Sequence, residues 1–450
     1  MNALNALDQL WELLCLNPKE FDIAILRSPD DNTKNPFVLQ EGHLGLHAGD
    51  LPWLARDFRT AYRTARLQDC DSVLKVTSCL LLVCPDHATA WADRKRALLS
   101  VQCHEDLWTR ELDFVNLLMT RHTKAPTSWF HRKFVLQQRI LQLLSALPPP
   151  PPPNDDHDDQ ENTFSTTCTT TTTCIYSNMV QLARDEIQIC ARIADRYPKN
   201  YYAWTHRSQM LQKIHHMLQD DSTSGTRTLA DHYTQLLQDQ WQSTTRWLQS
   251  HVSDHSAAHY GGMVLQLLRR QQLQQHNPQD HHQVPDNDTT QLVHAMMISS
   301  ITVAQQLVER HPSHEVLWIF RRICNHEFLC YAMAITDDED DDDNTALLLN
   351  SSYWKDHIDI IFCVEGNNHD NSLEAQRTQL YQLSYVAWML EDVGRLAKRF
   401  DSWNDLVRRV RLLQGVTQQE YQTLRNTVLT QLRERKETIP FYQQQQHPQV

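Results

Sequence analysis

Apolar residues return at steps of three and four over most of this 450-residue chain, the spacing that lines one face of a helix. The clearest stretch runs from Met179 to Tyr197, where Val180, Ala183, Ile187, Cys190, Ala191 and Ala194 share a side. Pro198 ends it, because proline cannot donate the next helix hydrogen bond and restricts the residue before it. Asn200 can then cap a second helix through its side-chain oxygen. On that helix Trp204 and Arg207 share a face, and Leu211 and Ile214 continue it. The pattern predicts a helical hairpin whose tryptophan wedges against its first helix. Its arginine reaches carbonyls or carboxylates of a neighbouring hairpin.

The same grammar recurs. Trp-x-x-Arg reads Trp91 to Arg94, Trp129 to Arg132, Trp204 to Arg207 and Trp318 to Arg321. Pro85, Pro198 and Pro312 stand six residues before three of the tryptophans; in the second copy Thr123 holds that place and Pro126 lies within the turn. A degenerate copy runs from His251 to Gly261, with Ala258 for the tryptophan and Gly261 for the arginine. There His259 and Tyr260 are the candidates to fill the lost volume. About five units are predicted, so the expected fold is all-α: a crescent-shaped α-α superhelix of antiparallel hairpins, each burying its face on the next.

The pattern also sets boundaries. Residues 1–72 read as an N-terminal helical region and 73–335 as the repeats. Two inserts interrupt them, expected to be disordered loops at 148–174 and 271–288. The first holds the run Pro148 to Pro153 and the threonines from Thr166 to Thr173; the second is rich in Gln, His, Asn and Asp. An acidic loop is expected at 336–345, closing helices at 346–442, and a glutamine-rich tail at 443–450. In the closing region Leu380, Leu383, Val386, Ala387 and Leu390 keep helical spacing, as do Leu406, Val407, Val410 and Leu413.

Composition narrows the chemistry. Only 9 glycines occur and no glycine-rich phosphate loop, which disfavours the usual nucleotide-binding enzymes. A net charge of −13, half of it from Asp337 to Asp343, argues against a nucleic-acid footprint. There is no 18-residue apolar run and no secretory pattern, so a cytoplasmic protein is expected. The 11 cysteines and 24 histidines show no zinc-ligand spacing, and no metal or other cofactor is expected in this chain. The repeat's tryptophans and arginines (Trp91, Arg94, Trp129, Arg132, Trp204, Arg207, Trp318 and Arg321) are read as structural.

The string from Pro198 to Arg207, Pro-x-Asn-Tyr-x-Ala-Trp-x-His-Arg, resembles the repeat of the alpha subunits of protein prenyltransferases. The strings His251 to Tyr260 and His311 to Trp318 resemble more narrowly the alpha subunits of type III geranylgeranyltransferase. The resemblance covers Val73 to Leu329. It implies a crescent around a separate beta subunit that holds the zinc and the isoprenoid pocket. It also implies a geranylgeranyl group passing from its diphosphate to a cysteine thiol. The implied partners are a beta subunit of the Rab geranylgeranyltransferase type and a protein substrate such as a farnesylated Golgi SNARE. One catalytic residue is carried over: Lys124, five before Trp129, whose cation would steady the diphosphate leaving group. Lys199, Tyr201, Tyr202 and His206 would then face the partner or the substrate. Two other readings use the same helices. One is a tetratricopeptide-like scaffold, whose fixed 34-residue period this chain lacks. The other is a non-catalytic regulator of the beta subunit.

Overall fold

The computed structural model describes residues 5–16, 22–27, 36–101, 106–146, 164–220, 226–275, 287–335, 373–397 and 417–438. They form an all-α helical-repeat protein with one small sheet. The chain divides into two compact units, Met1–Leu229 and Ala230–Val450.

The first unit opens with α1 (Ala6–Leu16), then β1 (Asp22–Leu26), β2 (Phe37–Gln40) and β3 (His43–His47). This sheet corrects the expectation of a wholly helical 1–72. Glu41-Gly42 take φ of 48° and 77°, the left-handed pair of a two-residue hairpin turn between β2 and β3. Strand β3 pairs antiparallel with β2 and parallel with β1. Ile23, Phe37, Leu44 and Leu46 are buried. The Ile23 amide donates to Thr120 Oγ1 at 3.0 Å, which fastens the sheet to the first helix of the second repeat.

After α2 (Leu51–Ala65) come three hairpins: α3 (Cys70–Val83) with α4 (Ala88–Ser100), α5 (Leu107–Arg121) with α6 (Pro126–Ser145), and α7 (Phe164–Arg196) with α8 (Tyr201–Asp220). Helix α7 starts inside the segment expected to be disordered. Its backbone stays helical through Thr166 to Thr173, a helix once nucleated gaining one bond per added residue. It is anchored by the buried Ile175, Met179 and Val180. Residues 147–163, with the proline run, lie outside the described residues.

The second unit contains α9 (Thr226–Ser250) with α10 (His255–Gln275), α11 (Asn287–Arg310) with α12 (Glu315–Ile335), and two closing helices, α13 (Leu373–Ala397) and α14 (Gln418–Thr438). Gln271 and Gln272, expected to begin an insert, are instead buried on α10. Helix α13 buries Leu380, Leu383, Val386, Ala387 and Leu390. Its Tyr385 ring lies 5.6 Å from Trp318 and 4.7 Å from the Arg321 guanidinium, so it covers the last Trp-x-x-Arg. The acidic run, Leu406 to Leu413 and the tail fall outside the described residues.

Candidate functional site

Every repeat starts its second helix three residues before the tryptophan position, at Ala88, Pro126, Tyr201, His255 and Glu315. In the first, second and fifth repeats the tryptophan itself ties down the turn before it. The indole N–H of Trp91 donates to the Pro85 carbonyl at 2.7 Å, and that of Trp318 to the Pro312 carbonyl at 2.8 Å. Trp129 donates in the same way to the carbonyl of Thr123 at 2.9 Å. The position six before the tryptophan therefore acts through its backbone oxygen, which threonine supplies as well as proline. Pro126 takes the first position of α6, where its missing N–H costs nothing.

Successive turns are tied to one another. Thr127 Oγ1 donates to the Pro85 carbonyl at 2.8 Å, and His122 Nε2 to the Leu82 carbonyl at 2.9 Å. Asn200 Nδ2 donates to the Thr123 carbonyl at 3.0 Å. Lys124 and Lys199 each sit five residues before a tryptophan, on turns joined by that last bond, and both are exposed. Lys199 takes φ 61°, a left-handed backbone that costs an L-residue about 1 kcal/mol or more. Beside it Tyr201 is 61% exposed, its ring edge-on to the half-buried Tyr202 at 5.4 Å. This edge carries two ammoniums and two phenol hydroxyls.

His206 is not on that edge. It is buried, and its Nε2 donates to Glu186 Oε2 at 3.1 Å. It belongs to a buried relay that the sequence pattern leaves unmarked. Arg132 of the second repeat grips Glu186 of the third through Nε and Nη2, at 2.7 and 2.6 Å. One repeat earlier, Arg94 grips Glu111 through the same two nitrogens, both at 2.7 Å, and His131 Nε2 donates to Glu111 at 2.6 Å. Burial alone would raise both carboxyls, yet the arginines and histidines hold each at about 2. Burial pushes His131 below its ordinary value, against the pull of Glu111, so near neutral pH it is the neutral Nε2–H tautomer. Each arginine is thus matched to the following repeat, and each histidine to its own.

The signal for this relay is positional. Glu111 and Glu186 both stand eighteen residues before their tryptophans, and His131 and His206 two after. At those places the first repeat has Val73 and Asp93, and Asp93 instead receives the Tyr62 hydroxyl at 2.5 Å and Arg66 at 2.6 Å. The fourth has Gln240 and Tyr260, whose hydroxyl donates to Gln240 Oε1 at 3.1 Å. So Tyr260 fills the degenerate unit, while His259 is exposed. The fifth has Ser300 and Phe320; Phe320 lies over Gly261, where an added Cβ would come within 2.9 Å of the ring. From the fourth repeat to the fifth, Gly261, Ser300 and Phe320 replace arginine, glutamate and histidine together, whereas Arg207 of the third is kept ahead of Gln240 and Tyr260. One further Trp-x-x-Arg, Trp53 to Arg56, is a chance match: Arg56 is exposed and pairs with its neighbour Asp57, at 3.6 Å.

Among the described residues no helix is long and apolar enough to cross a membrane, and no three metal-ligating side chains converge.

The family description "Protein prenyltransferase alpha subunit repeat" matches residues 108–139 and 183–214, the hairpins that carry the Glu–His pairs. The chain is 28% identical over 327 residues to the human "Protein prenyltransferase alpha subunit repeat-containing protein 1", covering 68% of this chain and 73% of that protein. It is 28% identical over 323 residues to the zebrafish (Danio rerio) protein of the same name, covering 68% of each. A Xenopus laevis relative, "Protein prenyltransferase alpha subunit repeat-containing protein 1-B", is 26% identical over 329 residues, again covering 68% of each chain. With its tryptophan-capped hairpins and these relatives, the chain carries protein prenyltransferase alpha subunit repeats and is similar to the proteins named for them.

Proposed function

We propose that this chain is the alpha subunit of a heterodimeric protein geranylgeranyltransferase. In this reading a zinc-binding beta subunit of the Rab enzyme's type holds the isoprenoid diphosphate. Lys124 comes up to the leaving diphosphate, and Lys199, Tyr201 and Tyr202 line the approach of a cysteine-bearing substrate such as a farnesylated SNARE, in the cytoplasm. The observation that carries the reading is the cationic turn edge: two exposed lysines at the same repeat position on turns joined by the Asn200–Thr123 bond. A cation held on such a frame stabilises charge that grows on the leaving oxygens without having to reorganise.

The test is co-expression with a Rab-type beta subunit, followed by sizing and by transfer of labelled geranylgeranyl to a farnesylated SNARE. A 1:1 complex with transfer is expected. Lys124→Ala should leave assembly intact and slow turnover by about 10²-fold, the scale of one lost transition-state contact. A complex that forms without transfer would assign the chain to regulation of the beta subunit. No complex at all would leave a helical scaffold.

A further inference from the structure

Between α6 and α8 the surface of the first unit opens into a groove of about 260 Å³. Its floor is Leu136, Ile140 and Met210, all buried, and its rim carries Lys133 and Lys213, both exposed. Among the described residues no carboxylate lines it. The groove has a definite origin. Five residues after Trp129 stands Phe134, edge-on to Trp108 at 6.0 Å with the Lys95 ammonium 5.1 Å over its face. That ring occupies the space beside α4. Five residues after Trp204 the chain has Gln209, which borders the groove and leaves it open.

We propose that this groove docks a short extended segment of a protein partner, with one aliphatic side chain set between carboxylates. The buried aliphatic floor favours an apolar side chain in the gap. Lys133 and Lys213 frame it with positive charge, and no carboxylate is among its described lining residues, so an acidic ligand is drawn to this spot. From Lys133 to Ile140 the groove runs ~10 Å along α6, the reach of about three extended residues. The inference does not depend on the transferase reading, and its test has no transferase readout.

The experiment is fluorescence anisotropy of a fluorescein-labelled Glu-Asp-Leu-Asp-Glu peptide with the full-length chain. Saturable binding that weakens with salt is expected. Replacing both lysines, Lys133→Gln with Lys213→Gln, should weaken it ~10-fold, two solvent-exposed charge contacts being worth a few-fold each. Gln209→Phe keeps both lysines and should remove binding by filling the gap, while the thermal midpoint is not lowered. A control peptide with serine for leucine should bind much more weakly. No binding of the first peptide, or equal binding by the Gln209→Phe variant, would overturn the proposal. So would protection of Lys133 and Lys213 from acetylation by a beta subunit with no effect of the peptide, since the groove would then belong to a subunit interface.

Discussion

Replacing Glu186 with glutamine would strip the third repeat of a charge while keeping the side chain's shape. Arg132 has no exposed surface, and its Nε and Nη2 both end on the Glu186 carboxylate. The glutamine would leave that guanidinium buried without a counter-charge. Two routes give the size of the loss. The carboxyl is held at about 2 against an ordinary 4.5, and at ~1.36 kcal/mol per unit that difference is worth about 3 kcal/mol. Removing one partner of a buried ion pair independently costs ~3–5 kcal/mol. Against a total stability of ~5–15 kcal/mol this is a large fraction. In urea, with m of ~1–3 kcal/mol/M, the midpoint should fall by about 1 M or more, read by circular dichroism. Removing both charges, Arg132→Met with Glu186→Met, should recover most of the loss, because a buried pair is worth little against apolar packing. The junction of the fourth and fifth repeats is the internal precedent, with Gly261, Ser300 and Phe320 at the arginine, glutamate and histidine positions. An unchanged midpoint for Glu186→Gln, or a double variant no better than the single, would refute the reasoning.

Three further outcomes are expected. On acidification the stability supplied by Glu111 and Glu186 is complete above pH ~4.5 and is lost as pH falls towards 2, since the unfolded chain then binds more protons. His131, depressed in the fold, starts the decline earlier, below about pH 6.5. Thermal melts between pH ~4.5 and 2 should flatten in Glu186→Gln, while the His131 part of the profile stays. Gly261→Ala should lower the unfolding free energy, read by urea titration, by ~1–3 kcal/mol, because the new methyl meets the Phe320 ring at 2.9 Å, and Gly261→Arg, although it restores the repeat motif, should do worse. Lys199→Gly should raise the melting temperature, by relief of ~1 kcal/mol of left-handed backbone strain, while lowering transfer in a reconstituted complex.

The hairpins are legible because few folds set a tryptophan, an arginine and a helix stop at one fixed spacing. The role of the stop is less so: Thr123 looks like a broken motif until its carbonyl is seen under Trp129. Side-chain identity hides what a backbone oxygen does. Glu111 and Glu186 escape notice because one acid on an amphipathic helix looks like any solvated charge; only their equal offset from two tryptophans marks them. His206 is misplaced for the same reason, its partner being unknown from the pattern. The sheet at 22–47 is hidden because its strands are four or five residues long, too short for alternation to stand out beside helical periodicity. The lysines of the turn edge come from family likeness, and the fold adds that their turns are bonded together.

The pairing of Arg94 and Arg132 with the next repeat's glutamate makes these hairpins poor interchangeable parts. A graft that set the fifth repeat's Ser300 and Phe320 behind Arg132 would strand a guanidinium in the interior, whereas Gly261 accepts them. Lineages that duplicate or delete a repeat must therefore cut where donor and acceptor agree. Such agreement is a compatibility code across each junction, and it limits which shuffled arrays could fold.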